Sequence, residues 1–266
     1  MGFRAAVFKF TGIFLLAGNS SASDYEEYVR ALKILQENHP RAVVSSVASG
    51  FGASSREMYA AASYSNRDLQ TEAEGDDDGS IVLGVGLGSP DDTLGYEIAL
   101  GVTSVSTAWW GDGKFADEGN LNLKVHKIVT PILTGTAASV AVGASNITGW
   151  GGTLEIPTNY YTVYSEKFSF GKFDHHGAAI SLGYGTSVSD GETAGDFFGG
   201  FGVARSNYNG SLSFIGNEAH VSATWYVPNI SGLAITFTRA DVWNQKNTGR
   251  NILSVGYAFK LGESRV

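Results

Sequence analysis

The stretch Asn251–Leu261, NILSVGYAFKL, decides how this chain folds. Every second residue from Leu253 to Leu261 is apolar, and the residues between them are small or polar. Successive side chains of a β-strand point to opposite faces of its sheet. The period of two therefore predicts a strand with one apolar, aromatic face and one small or polar face.

The same period recurs along the chain in 80–88, 120–129, 177–185 and 219–227. In each segment the apolar residues share one face, and Gly, Ala, Ser, Thr or Asn dominate the other. Counting such segments predicts about 12 strands, with a range of 10 to 14, since membrane barrels have even numbers. The expected starts are near residues 42, 57, 80, 94, 119, 135, 158, 177, 197, 218, 232 and 251. The stretch 208–215 stays ambiguous.

Alternation alone also suits a soluble β-sandwich. Two further features favour a membrane barrel: the segments run about 9 to 11 residues, the length of a tilted spanning strand, and aromatic residues gather near the segment ends. Short turns also alternate with longer polar loops. We therefore predict an all-β, antiparallel, up-and-down transmembrane β-barrel, and a secreted sandwich is the alternative fold.

The composition excludes several classes of protein. The chain has no cysteine, which removes disulfide frameworks and thiol chemistry. Its net charge of −8 and the lack of any Lys/Arg cluster exclude nucleic-acid binding. The charged fraction of 17% lies below the ~25% of ordinary soluble domains. No motif indicates a metal or another cofactor.

The first 40 residues differ from the rest. A basic stretch with Arg4 and Lys9 leads into a short apolar run and then small residues, which predicts a cleavable signal peptide over 1–22. Over 23–40 an apolar face at three- and four-residue steps predicts an amphipathic helix. The domain boundaries expected are thus 1–22, 23–40 and a barrel over 41–266.

Together the signal, the Gly- and aromatic-rich strands and the closing strand resemble bacterial outer-membrane β-barrel proteins as a class, over residues 42–261. The resemblance implies an outer-membrane location, contact with membrane lipid and lipopolysaccharide, and insertion by the barrel-assembly machinery. The closing strand is similar to the signal that this machinery reads, although 262–266 follow it in place of a terminal Phe. Paired repeats ending in Gly-Tyr strands also resemble the YjbH-like barrels of exopolysaccharide export.

If the apolar face points outward, ionisable side chains on the opposite face point into the barrel. We expect five of them to do so: Glu97, Lys124, His126, His220 and Lys260. Ionisable groups at membrane depth are costly unless they pair or line water. Structural pairing and a pore lining are both consistent with these residues.

One loop carries potential catalytic residues, Asp174, His175 and His176. A membrane-embedded lipid hydrolase would need such groups beside a serine, but adjacent His and Asp in a polar loop are more often solvated. We therefore predict a non-enzymatic channel or structural barrel for passive passage of small solutes. The alternatives are a hydrolase, or a barrel that binds or assembles a partner in surface-polysaccharide export, through its loops or helix; a homo-oligomer is also open.

Overall fold

The computed structural model describes residues 42–67, 78–103, 116–170, 176–188, 195–243 and 249–261. Twelve antiparallel strands close into one barrel, in which each strand pairs with its neighbours in sequence and β1 pairs with β12. The predicted all-β barrel of about 12 strands is confirmed. The strands are β1 Glu57–Arg67, β2 Asp78–Gly88, β3 Gly95–Val102, β4 Gly119–Val129, β5 Ala137–Trp150, β6 Asn159–Ser169, β7 His176–Gly185, β8 Asp196–Arg205, β9 Tyr208–Ile215, β10 Glu218–Tyr226, β11 Leu233–Ala240 and β12 Arg250–Lys260.

Two details of the strand prediction differ from the structure. The prediction of a strand beginning near residue 42 is wrong, because residues 42–56 are not extended in the sheet and precede β1. The ambiguous stretch 208–215 is a strand, β9, paired with both β8 and β10. The two differences cancel in the count.

The connections differ between the two ends of the barrel. At the end where β1 begins and β12 ends, which we call the short-turn end, the strands are joined by 89–94, 130–136, 170–175, 206–207 and 227–232. At the opposite, long-loop end they are joined by 68–77, 103–118, 151–158, 186–195, 216–217 and 241–249. The connection 151–158 contains a 3₁₀ helix, Gly151–Glu155. Two connections depart from the asymmetry that the sequence predicts: 216–217 is short at the long-loop end, and 170–175, which the sequence places among the longer loops, lies at the short-turn end.

The outer face of the barrel is apolar. Leu83, Val142 and Leu182, from three different strands, are 53%, 57% and 62% exposed. Their neighbours along each strand point inward and are mostly small or polar. This arrangement is the inverse of a soluble domain, in which the large apolar side chains fill the core.

Aromatic side chains lie on the outer face near both ends of the strands. Those toward the short-turn end are Tyr96, Tyr208, Trp225, Tyr257 and Phe259. Those toward the long-loop end are Tyr64, Tyr160, Tyr184, Phe197, Phe214 and Trp243. Several are in ring contact: the Tyr184 and Phe197 centroids lie 5.2 Å apart, edge to face. Between these two bands of aromatic residues the outward side chains are mainly aliphatic, with Phe201 and Phe237 among them.

The inner face is built from small and hydroxyl-bearing side chains that bond across strands. Ser63 bonds Ser80 at 3.1 Å, and Ser222 bonds Thr238 at 2.8 Å. Because the inward-facing side chains of the described strands are almost all buried, this part of the interior is packed rather than an open aqueous pore.

The predicted signal peptide and helix, 1–22 and 23–40, lie outside the described residues. Among the residues that the structure describes, no helix is long and apolar enough to cross a membrane.

Candidate functional site

Residues 42–55, which we call the inner segment, lie across the interior at the short-turn end. Every residue from 42 to 53 is buried. The segment runs from β9 past β6 and β5 to β3 and β2, where the Ser55 N–H donates to the Gly88 carbonyl at 2.9 Å. Its wall contacts come from residues close to the short-turn ends of these strands. The segment therefore occupies this mouth of the barrel along the wall from β9 to β2.

The first part of the inner segment is bound by β9. The Asn209 side-chain amide accepts a hydrogen bond from the Val43 N–H at 3.1 Å and donates one to the Val43 carbonyl at 3.2 Å. The Ser211 hydroxyl, two residues further along the same inward face, accepts from the Ser45 N–H at 3.0 Å. These contacts fix the backbone of the inner segment at Val43 and Ser45 and do not involve the side chains of these two residues.

The middle of the inner segment is bound by β5 and β6. The Ser165 hydroxyl accepts from the Gly50 N–H at 2.9 Å, and the Ser139 hydroxyl donates to the Gly50 carbonyl at 2.6 Å. A Cβ at Gly50 would lie 2.1 Å from the Ser139 carbonyl oxygen. Next along the chain, Phe51 lies under the Lys167 ammonium, whose nitrogen is 4.7 Å from the ring centroid, at cation–π distance.

The last part of the inner segment meets a buried charged cluster on β3 and β4. The Glu97 carboxylate accepts from the Ala53 N–H at 3.0 Å and from the Tyr59 hydroxyl at 3.0 Å. Lys124 is directly opposite Glu97 in the strand pairing, and its nitrogen lies 3.8 Å from a Glu97 oxygen. Both side chains are 3% exposed. The Glu97 charge is thus matched by a cation and two donors.

His126 completes this cluster. It is paired with Gly95 across β3 and β4, one inward position from the Glu97–Lys124 pair, and it is buried. A Cβ at Gly52 would lie 2.7 Å from the imidazole, so the ring packs against the inner segment. The structure thus brings together three of the five residues expected inside the barrel, around the same stretch of the inner segment.

The other two lie elsewhere. His220, on β10, is buried near the long-loop end, where its Nε2 is 3.5 Å from a Glu218 oxygen. Lys260 ends β12 at the short-turn end and is exposed, because it stands at the rim. Whether any of the five residues contacts a passing solute remains a prediction.

The loop with potential catalytic residues falls mostly outside the described part of the chain. Asp174 and His175 lie outside the described residues, and His176 begins β7, half-buried and paired with Arg205. The hydrolase hypothesis therefore gains no geometric support from His176.

The sequence reasoning missed the inner segment and its wall partners on β5, β6 and β9. Ser139, Ser165, Asn209 and Ser211 are ordinary inward positions by pattern. The available signal was the composition of AVVSSVASGFGAS, residues 42–54, in which every side chain except that of Phe51 is no larger than valine.

No family model and no curated protein matches this chain. Among solved structures, the outer membrane protein Omp33 of Acinetobacter baumannii is similar at 6% identity and a TM-score of 0.41, covering 76% of this chain and 97% of its own. OccAB2 of the same organism is similar at 9% identity and a TM-score of 0.26, covering 77% and 97%. Neither similarity assigns this chain to a family.

Proposed function

We propose that this protein is an outer-membrane β-barrel that passes small polar solutes passively and is closed at rest by its inner segment. The observation that carries the proposal is the two-sided wall: an apolar exterior around all twelve strands encloses a polar, hydroxyl-lined interior.

The exterior is suited to lipid. Contiguous apolar patches above a few hundred Å² are rare on soluble monomers, whereas here every strand contributes outward apolar or aromatic side chains. A closed barrel leaves no strand edge unpaired, as the hydrocarbon interior requires. The two bands of outward aromatic side chains correspond in position to the aromatic girdles that outer-membrane barrels have at the two membrane interfaces.

The connections suggest the orientation. Outer-membrane barrels have short periplasmic turns and longer extracellular loops. The short-turn end would then face the periplasm, and the inner segment would close the periplasmic mouth. Insertion by the barrel-assembly machinery, with β12 as its signal, belongs to the same proposal.

The interior favours small polar solutes. Above the inner segment the inward positions are mainly hydroxyl and amide groups, such as Asn122, Thr238 and Ser254. These groups can hydrogen-bond a passing polar solute in place of water. Passage requires that the inner segment leave the mouth and that the packed side chains of the interior move apart.

The deciding experiment is single-channel recording in planar lipid bilayers with a variant whose inner segment cannot remain bound in the barrel interior. In Gly50→Val the side chain would overlap the Ser139 carbonyl, since even a Cβ lies 2.1 Å from that oxygen. We expect long-lived open channels from this variant and rare openings from the native protein.

The matched control is Gly210→Val on the exposed face of β9, where an added Cβ meets nothing within 4 Å. We expect it to conduct as the native protein does. A Gly50→Val protein that inserts, keeps a heat-modifiable band on gels and never conducts would refute the proposed channel. Recovery of the native protein in a soluble fraction would refute the membrane location.

A further inference from the structure

The hydrogen bonds from the wall to the inner segment described above all reach backbone atoms, while its side chains, such as Phe51 beside Lys167, pack in the remaining space. We infer that the short-turn half of the interior is a peptide-binding site, which residues 42–55 fill in cis and which a glycine-containing peptide of mainly small residues can enter in trans. This inference goes beyond the proposed channel and depends only on the contacts inside the barrel.

Five wall side chains make the contacts, and each reaches main-chain atoms of the inner segment. Asn209 binds both backbone groups of Val43, in the way that one strand pairs with another. The others are Ser211 on Ser45, Ser165 and Ser139 on Gly50, and Glu97 on Ala53. Recognition of this kind tolerates changes of sequence, because affinity comes from main-chain hydrogen bonds while space selects the side chains.

Space at the site selects small residues and glycine. An added Cβ would lie 2.1 Å from backbone oxygen at Gly50 and 2.7 Å from the His126 ring at Gly52. On the wall side, Gly202 lets the Val43 carbonyl approach so closely that a Cβ there would be 1.8 Å from its oxygen. The ligand class is therefore a peptide with glycine at the positions of Gly50 and Gly52, an aromatic residue at the position of Phe51 and small residues elsewhere.

The link between the inner segment and the barrel is accessible. Ser55 and Arg56 are exposed, and Arg56 has φ +70°, a conformation that costs a non-glycine residue energy. A segment held in cis has an effective concentration of roughly millimolar over a short linker. A competing peptide thus exchanges measurably only when this link is cut or when the peptide is itself tethered nearby.

The test uses the full-length protein with a specific protease site inserted between Ser55 and Arg56. The folded protein is cut in detergent and incubated with an excess of a fluorescent synthetic peptide, AVVSSVASGFGASS, residues 42–55. We expect the barrel to capture the peptide as its own fragment is released. Fluorescence anisotropy gives the affinity, and an unboiled gel band confirms that the barrel stays folded.

Three altered peptides distinguish backbone recognition from adsorption. N-methylation at Gly50 removes the donor to Ser165, and we expect about tenfold weaker binding. Gly50→Ala in the peptide should weaken binding at least as much. N-methylation at Ala48, whose N–H makes no hydrogen bond to another described residue, should change the affinity about twofold or less.

Two results would overturn the inference. One is a cut, folded barrel that takes up no labelled peptide. The other is equal capture of the native, Gly50→Ala and N-methyl-Gly50 peptides, which would indicate non-specific adsorption. Channel opening in Gly50→Val would still stand in either case, because it requires only that the segment be displaced.

Discussion

Glu97 connects the inner segment to the barrel wall through its carboxylate. It accepts from Ala53 and Tyr59 and faces Lys124, all at buried positions. Removing one partner of a buried ion pair costs about 3–5 kcal/mol, because the other charge stays in a poorly solvating place. We expect Glu97→Gln to lower the free energy of unfolding by this amount, measured by urea titration in detergent micelles.

A second substitution tests whether the charge pair is the cause. Glu97→Gln combined with Lys124→Met removes both charges, so we expect part of the lost stability to return. A double variant as unstable as the sum of the two single variants would show that Glu97 and Lys124 do not interact.

At the scale of elements, inward rings lie over glycines of the neighbouring strand and fix how strands sit against each other. On β1 the Tyr59 ring covers Gly84 of β2, where an added Cβ would lie 1.9 Å from the ring carbon Cζ. The Tyr59 ring cannot move away from Gly84 without losing the hydrogen bond from its hydroxyl to Glu97. We expect Gly84→Ala to cost about 1–3 kcal/mol, as overpacked sites do.

The matched control for that substitution is Gly210→Ala, which adds the same methyl group on the open outer face. Its effect should stay within about 0.5 kcal/mol. Thermal loss of the unboiled gel band compares the two variants, and equal losses would contradict the packing role of Tyr59.

The elements also show what pattern reading can and cannot predict. In β12 and β4 one face is outward and apolar, and the other is packed inside the barrel. The period of two therefore identifies each strand and the face on which each of its residues lies. On β9 the outward position of Gly210 interrupts the apolar face, so the strand stayed ambiguous. The inner segment is buried on all sides, so it needs no face of large outward side chains. Its sequence pattern therefore does not distinguish it from a further strand.

The same reasoning explains how far the site was predictable. Glu97, Lys124 and His126 were expected inside because they alternate with apolar residues on strongly periodic strands. Their common neighbour, the inner segment, was not foreseen, since contact between Glu97 and Ala53 depends on how the chain enters the barrel. Serines and an asparagine on polar faces give no sign of which backbone they bind.

At the scale of the whole molecule, the membrane location predicts a dependence on depth that a soluble barrel lacks. Val255 at the centre of β12 and Leu261 just past its end are 42% and 50% exposed, so in water an arginine at either site would cost little. In a bilayer, arginine costs about 2–4 kcal/mol at the midplane and about 0–1 kcal/mol near the interface. We expect Val255→Arg to destabilise the barrel refolded in lipid vesicles by the larger amount and Leu261→Arg by the smaller. Equal small effects would place the apolar belt outside the membrane, whereas a large effect at Val255 alone is the result expected from the lipid around it.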